Sequence, residues 1–485
     1  MAQKDKLWLV LGTFGVLGVA TLLSWNVLLS VSEYYFVRSH VSPYLPSLAD
    51  NFPTILANVY TYMNLLAFVV LLPASKHIAV HWQVTLPSWA ILAVLASQAW
   101  LSTQTQLSGN AVMAATVAGG AVLGAASSLL LCGAYALACR FPARYMQAVV
   151  TGQGLAGLTI SLLSFLTLWL YPPQPDSVAP TAADVRPAAL AYFIGAAALV
   201  ASAMLGYYCF PHMPFAQRHT LPPDEGLQGY LPADDSGGLG ASLLSPRSPQ
   251  ATAFDCDSPA AKVQRVLRRS SSSLALQQRN AELAGEVPQS AHKLPTLRET
   301  LSHLRWFHVI VGLSFCTSYC AFPALTSHIC STSNVAAHPP CQSRPGTGRL
   351  QGDLFIPLSF ILFNGGDFVG RLTGGLHRAP PPSLPLALFA VLRLAIPAAL
   401  AVCNVVTPHN WMLPFVLRSD WAPALLTALL GLTNGHLASC MVMHAPSMVP
   451  PAARDQVGTI MALSITLGIT IGVSIALLAF PYLQT

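Results

Sequence analysis

The chain has 485 residues, of which 53% are hydrophobic and only 9% are charged, and its formal net charge is +6. Soluble domains usually carry about 25% charged residues, so this composition excludes a soluble enzyme and indicates an integral membrane protein. Apolar segments of about 20 residues, each long enough to cross a bilayer as a helix, recur along the chain. We place eleven of them, at residues 7–31, 53–73, 87–106, 110–139, 145–171, 187–210, 305–326, 354–376, 384–406, 421–445 and 456–480.

The first apolar segment has one feature of a cleaved secretory signal, since Lys4 and Lys6 precede it. It is about twice as long as the apolar region of a signal peptide. Trp25 and Asn26 also stand where small residues would mark a cleavage site. We therefore expect a retained first helix.

A polar segment at residues 212–303 separates six predicted spans from five. It is rich in Pro, Gly, Ser and charged residues and has no sustained helical period, which predicts a disordered cytosolic loop. The chain then divides into a six-helix half at 1–211, this loop, and a five-helix half at 304–485. Within the loop, two arginines precede serines in a pattern typical of basic-directed phosphorylation; a solvated low-complexity tract without a regulatory role is the simpler interpretation. The candidate acceptors are Ser270, Ser271 and Ser272.

The distribution of Lys and Arg among tails and short loops predicts the orientation, because cytoplasmic loops carry an excess of both. It places the N-terminus in the cytosol and, with an odd number of spans, the C-terminus outside. We expect the plasma membrane, with a vacuolar or lysosomal membrane as the alternative. The expected partners are the lipid bilayer and a small-molecule solute, with no nucleic acid and no cofactor, while the oligomeric state stays open.

The ten cysteines are scattered along the chain. Cys330 and Cys341 share the loop after the seventh span, which this orientation exposes to an oxidising compartment, so a disulfide bond between them is possible there. Cys316 and Cys320 lie four residues apart within a span, where packing is the simplest role. There is no CxxC pair, and no His/Cys spacing indicates zinc, so we expect no metal site. GxSxG, Walker and HExxH motifs are also missing from the sequence, which argues against an enzyme and against an ATP-driven pump.

An acidic and a basic residue interrupt the eighth span. Asp367 and Arg371 are four residues apart and therefore face the same side of a helix. Each would be costly alone in lipid, so they should face each other, a ligand or water. We interpret the pair as part of a solute pathway; an ion pair that only locks two helices together is the alternative. Arg393, in the ninth span, either partners Asp367 across helices or caps exposed carbonyl groups.

Five stretches of the chain give it a specific resemblance to a known family. The longest reads FPARYMQAVVTGQGLAG, and NGGDFVGR carries the charged pair. The five stretches are residues 23–28, 141–157, 322–324, 364–371 and 433–439. The sequence resembles the equilibrative nucleoside transporters through nearly all of its membrane-embedded part, and that family also has six helices, a cytosolic loop and five helices.

The resemblance implies an all-α polytopic fold of the major facilitator type, in which two helical halves alternate access to a central cavity. It implies a carrier of nucleosides, and of nucleobases as an extension, which is facilitative or proton-influenced. By this resemblance Trp25 borders the base, Asp367 and Arg371 contact the sugar, and Asn364 lies one turn before the pair. The other expected cavity residues are Leu22, Leu29, Leu65, Leu131, Phe322 and Pro323.

Two positions depart from the family pattern. Leu131 stands where the family often has a glutamine that hydrogen-bonds the base, so discrimination among bases should be weaker or located elsewhere. His436 stands where many relatives have tyrosine. It either titrates near neutral pH and makes transport proton-sensitive, or is a hydrogen-bonded structural residue.

Two other functions stay open. One is an organic-cation or monoamine carrier of the same fold, although Asp367 is the only acid in the predicted helix interiors. The other is a non-transporting scaffold or receptor in which the long loop is the working part. A scaffold would tolerate Asp367→Asn and would not tolerate deletion of residues 220–290, whereas a carrier predicts the reverse.

Overall fold

The structure is a computed structural model. It describes residues 2–30, 52–74, 78–104, 106–170, 182–220, 296–334, 348–377, 383–407, 410–450 and 453–483. The described part of the chain is helical and contains no β-strand. One isolated β-bridge joins Ile329 and Val405 in this part.

Among the described residues, six long helices lie before residue 212, in what we call the N-terminal half of the sequence. They are α1 (Ala2–Ser30), α2 (Phe52–Ala74), α3 (Val80–Thr103), α4 (Gly109–Cys139), α5 (Ala143–Leu170) and α6 (Ala182–Tyr208). Two short helices, α7 (Pro214–Thr220) and α8 (Leu297–His303), lie inside the range 212–303 that we predict to be a loop. A capping box between Thr296 and Glu299 starts α8. Residues 221–295, including the three candidate phosphorylation sites, lie outside the described residues, so their disorder and modification stay predictions.

The C-terminal half contains the remaining helices. They are α9 (Arg305–Tyr319), α10 (Phe355–Gly374), α11 (Ser383–Leu392), α12 (Ala395–Ala401), α13 (Trp421–His444) and α14 (Arg454–Tyr482). Over the described ranges, seven helical segments are long and apolar enough to cross a membrane. The long described helices overlap the predicted spans, with two differences, and the total of eleven spans stays a prediction.

Proline explains two places where the structure differs from the predicted spans. The seventh span, predicted to run through residue 326, stops at Tyr319, and the ninth, predicted as one helix, breaks at Arg393. Pro323 and Pro397 each lie four residues later and have no N–H to donate to the carbonyl of the residue four positions before. The carbonyl of Arg393 is instead bonded by the N–H of Ile396 at 2.9 Å, which tightens the turn.

Within each half, close helix packing is found at α5 and at α10. A Cβ atom on Gly152 of α5 would lie 2.1 Å from the carbonyl oxygen of Gly15 on α1. A Cβ on Gly435 of α13 would lie 2.0 Å from the carbonyl oxygen of Asp367 on α10. Both contacts are backbone to backbone and require glycine. The small residues near Gly152 therefore allow close helix packing.

Candidate functional site

The predicted ion pair lies in the interior of the protein, on the face of α10 that packs against α5 and α13. Arg371 Nε donates to Asp367 Oδ2 at 2.6 Å. Asp367 is 6% exposed and Arg371 is 4% exposed. At this burial neither charge is stabilised by bulk water, so both depend on partners within the protein.

Arg371 also connects the two halves of the molecule. Its Nη1 donates to the carbonyl oxygen of Val150 at 2.9 Å and to Gln153 Oε1 at 3.1 Å, both on α5. Gln153 Oε1 accepts a second bond from the Tyr135 hydroxyl of α4 at 3.0 Å. Gln153 Nε2 donates to Thr21 Oγ1 of α1 at 3.2 Å. One guanidinium group is thus linked to three helices of the N-terminal half.

Asp367 is linked in the other direction, to the C-terminal half. Its Oδ1 accepts from Asn434 Nδ2 of α13 at 2.8 Å. Asn434 Oδ1 in turn accepts from the Ser314 hydroxyl at 3.2 Å and the Ser318 hydroxyl at 3.0 Å, both on α9. The side-chain amide of Asn434 therefore connects α10 to α9 through hydrogen bonds.

Arg393 also belongs to this polar network, but its hydrogen bonds there go to residues other than Asp367. Its guanidinium donates to the carbonyl oxygens of Ser314 and Leu430, each at 3.0 Å, and to the hydroxyls of Ser314, Ser318 and Thr433 at 2.6–2.7 Å. Of the two roles that the sequence left open, the structure shows the capping of carbonyl groups. The network carries two guanidinium groups and one carboxylate, so its formal charge is +1.

Asn364 and Phe322 lie on the side of this network nearer the N-terminus of α10. Asn364 Nδ2 donates to Ser161 Oγ of α5 at 2.8 Å, which is a second polar contact between the halves. The Phe322 ring stacks on Phe363 with centroids 3.9 Å apart. Pro323 is half-buried beside it. These residues border the network on the apolar side.

The predicted cavity residues of the N-terminal half are less closely assembled around the polar network than those of the C-terminal half. The Trp25 ring is half-buried and packs on Tyr60 of α2, with centroids 4.8 Å apart, rather than on a member of the polar network. Leu22 and Leu65 are half-buried and Leu131 is buried in the hydrophobic core. The side chain of Leu29 lies outside the described part.

Sequence reasoning missed the residues that connect the pair to other helices. Gln153 and Asn434 lie within the stretches 141–157 and 433–439 that carry the resemblance, but the sequence analysis assigns neither a role in the site. The signal that identifies both is an amide side chain inside an apolar span, which must find a buried partner. Tyr135 and Thr21 gave no comparable signal, because both residue types are common in ordinary helix packing.

His436 and Cys330 lie away from the network. His436 Nδ1 is 3.1 Å from Thr373 Oγ1, so its ring is hydrogen-bonded. Cys330 takes part in a disulfide bond. Cys341, the partner that we predict, lies outside the described residues, and the pairing stays a prediction.

Comparison with known proteins agrees with this arrangement. The family model of nucleoside transporters matches residues 117–480. Equilibrative nucleoside transporter 3 of Rattus norvegicus is 26% identical, over 96% of this chain and 87% of that protein. Equilibrative nucleoside transporter 1 of Homo sapiens is 23% identical, over 97% of this chain and 96% of that protein.

Solved structures show the fold. The proton:xylose symporter XylE, a major facilitator superfamily protein, is 10% identical with a TM-score of 0.54, covering 99% of this chain and 90% of that chain. The human organic anion transporter MFSD10 is 16% identical with a TM-score of 0.51, covering 98% of this chain and 99% of that chain. The expected helical fold, similar to that of major facilitator proteins, is confirmed for the described residues, whereas the total of eleven spans and their 6+5 arrangement stay predictions. Because the family model covers most of the sequence, the chain belongs to the nucleoside transporter family.

Proposed function

We propose that this protein carries nucleosides across a membrane by alternating access, through a site centred on Asp367 and Arg371. The observation that carries the proposal is the buried ion pair of α10, bonded to α5 on one side and to α13 on the other. A ligand that reaches this pair contacts the point where the two halves meet. Its binding energy can then act on their relative position.

The chemistry of the pair suits the sugar of a nucleoside. Ribose hydroxyls both donate and accept, and the site offers a carboxylate that accepts and a guanidinium that donates. Each Asp367 oxygen uses one hydrogen bond within the protein, to Arg371 or to Asn434, which leaves lone pairs for ligand hydroxyl groups. The half-buried Trp25 ring, which packs on Tyr60, offers an aromatic surface for the base. Leu131 cannot hydrogen-bond a base edge, so purine and pyrimidine nucleosides should both be accepted.

Polar contacts between the halves on either side of the site provide the two gates. On one side, Arg349 ahead of α10 donates to the carbonyl oxygens of Leu168 and Trp169 at the end of α5. On the other, Arg140 after α4 pairs with Asp455 of α14. With the predicted orientation, the first contact is the outer gate and the second the inner gate. Transport then requires opening one gate at a time, in a protein of eleven spans at the plasma membrane.

A carrier of organic cations is the weaker alternative. Over the described ranges, Asp367 is the only acidic residue that is buried, whereas Arg371 and Arg393 are both buried cations. A site whose formal charge is +1 repels a protonated amine, and that repulsion is strong because water is excluded. A neutral nucleoside meets no such penalty.

The direct test is uptake of labelled adenosine, uridine, adenine and serotonin into transporter-deficient cells that express the chain. We expect saturable uptake of both nucleosides, which falls at least tenfold in Asp367→Asn at equal surface abundance. Glu299→Gln is the matched control, since it makes the same acid-to-amide change at an exposed position, where glutamine keeps the capping box of α8. Uptake of the amine but not of the nucleosides, or equal uptake by Asp367→Asn, would refute the proposal.

Deletion of residues 222–290 separates a carrier from a scaffold. The helical ranges Met1–Leu221 and Thr296–Thr485 form one compact unit without these residues. We therefore expect the deletion variant to keep nucleoside uptake within about twofold of the full chain at equal surface abundance. Loss of uptake with normal surface abundance would show that the loop is a working part.

A further inference from the structure

Three side chains that commonly bind transition metals converge where α10 ends. His436 and Cys440 lie one turn apart on α13, and His377 follows the last turn of α10. The two imidazoles and the thiol each place one ligand atom within 4.8 Å of the other two. We propose that His377, His436 and Cys440 form a binding site for a zinc-like divalent metal ion that ties the end of α10 to α13.

The separation between the two ligands on α13 fits a tetrahedral metal. His436 Nε2 lies 3.6 Å from Cys440 Sγ. Zinc–nitrogen bonds of about 2.0 Å and zinc–sulfur bonds of about 2.3 Å, set at the tetrahedral angle, place the two ligand atoms about 3.5 Å apart. These two ligands therefore need no movement of the helix to share an ion.

Thr373 orients the imidazole for this role. Its hydroxyl donates to the carbonyl oxygen of Gly370 at 2.9 Å, so its oxygen is left to accept from His436 Nδ1 at 3.1 Å. With the proton on Nδ1, the lone pair of Nε2 faces Cys440. A hydrogen bond to the second ring nitrogen is the usual support of a metal-binding histidine.

The backbone beneath these ligands is held firmly. A Cβ on Gly370 would lie 2.1 Å from the carbonyl oxygen of Leu432, and a Cβ on Gly374 would lie 2.6 Å from the Cβ of Ser439. The last turns of α10 and the ligand-bearing turn of α13 thus touch directly. A site on packed helices of this kind is preorganised, which lowers the cost of binding an ion.

The third ligand makes the site accessible. His377 is exposed, His436 is half-buried and Cys440 is buried. An ion therefore enters from the His377 side, and the thiol of Cys440 releases its proton to solvent as the sulfur–metal bond forms. Three protein ligands leave a fourth tetrahedral position for water. Spacing along the sequence does not reveal this arrangement, because His377 follows α10 while His436 and Cys440 lie on α13.

Titration with Co²⁺ tests the proposal, because cobalt bound to a thiolate gives a sulfur-to-metal charge-transfer absorption. The full chain would be purified in detergent under reducing conditions, freed of metal with a chelator and titrated. We expect one equivalent of Co²⁺ to bind with this absorption and Zn²⁺ to displace it. Zn²⁺ should also raise the midpoint of thermal unfolding, because it binds only the folded chain.

Variants test whether these three side chains, rather than other His or Cys residues, bind the metal ion. Cys440→Ser should abolish the charge-transfer absorption, and His377→Ala should weaken binding at least tenfold. His377 is exposed, so this variant should fold and keep its metal-free nucleoside uptake. Cys316→Ser and His303→Ala, which remove the same residue types elsewhere, should bind as the unaltered chain does. The proposal is wrong if the folded chain binds no stoichiometric Co²⁺, or if the absorption and affinity survive both Cys440→Ser and His377→Ala.

Discussion

Gln153 is the residue through which the charged pair reaches the N-terminal half. Its amide oxygen accepts from both Tyr135 and Arg371, and its amide nitrogen donates to Thr21. No hydrophobic residue of similar size can make these three bonds. The amide thus sets the position of the Arg371 guanidinium, and through it the position of Asp367.

Replacing this amide tests its role at the scale of one residue. Gln153→Leu leaves a guanidinium N–H of Arg371 without one acceptor, and a hydrogen bond to a charged group contributes about 1.5–3 kcal/mol. We expect uptake efficiency, the ratio of maximal rate to KM, to fall roughly 10- to 100-fold. Tyr135→Phe keeps the hydrogen bond between Gln153 and Arg371 and should lower the uptake efficiency by less than tenfold. An equal or larger loss in Tyr135→Phe would contradict this role.

The pairing of α10 with α13 is the element that supports the whole site. Gly370 approaches the carbonyl oxygen of Leu432, and Gly431 approaches that of Phe363, with a potential Cβ only 2.1 Å away in each case. This contact brings Asn434 within hydrogen-bond distance of Asp367. Small residues at these positions are therefore a condition for the polar network as well as for packing.

Gly435→Ala tests this element. A Cβ there would lie 2.0 Å from the carbonyl oxygen of Asp367, so α10 and α13 would have to move apart by about 1 Å or more. We expect a lower thermal midpoint in detergent and uptake reduced at least tenfold.

Gly195→Ala is the matched control for this change. Gly195 also lies within a helix, α6, but nothing stands within 4 Å of its potential Cβ. That variant should be neutral or more stable by about 0.5–1 kcal/mol, since alanine favours a helix over glycine. Equal behaviour of the two alanine variants would show that the close contact has no such role.

At the scale of the whole molecule, the polar contacts between the two halves differ in strength according to how deeply they are buried. The central bonds of Arg371 are buried, whereas the side chains of Arg140 and Asp455 are 32% and 45% exposed. Their two parallel hydrogen bonds raise the pKa of Arg140, but such exposed pairs contribute only about 0–1 kcal/mol. A gate of this strength can close and open again without affecting the fold.

Charge reversal tests the gate. Arg140→Glu places two carboxylates together, which should open this end of the molecule and lower the maximal uptake rate several-fold with little loss of thermal stability. The double variant Arg140→Glu/Asp455→Arg restores an attractive pair and should recover most of the rate. Uptake kinetics at equal surface abundance provide the measurement. A double variant no better than the single one would show that these two residues are not coupled.

The site could be predicted in part from the sequence. Asp367 and Arg371 stand out because charges in an apolar span need partners, and their spacing places them on one helix face. Asn364 was also recognised, and the structure shows its contact with α5. The partners Gln153 and Asn434 are 218 and 67 residues away from Arg371 and Asp367 along the chain, and no local pattern relates such distant positions.

The sequence by itself determined that the chain is a helical membrane protein with a charged pair in one span, because hydrophobic length and the cost of buried charge are local properties. Proline accounts locally for the end of α9 and for the break between α11 and α12, but the predicted spans ran through both positions. Only the tertiary structure decided which helices meet. It linked Arg371 to α5, made Arg393 a cap for carbonyl groups, and brought His377 beside His436 and Cys440. Those results depend on backbone contacts between helices that are far apart in the chain. A glycine in the sequence permits such a contact but does not indicate which helix will make it.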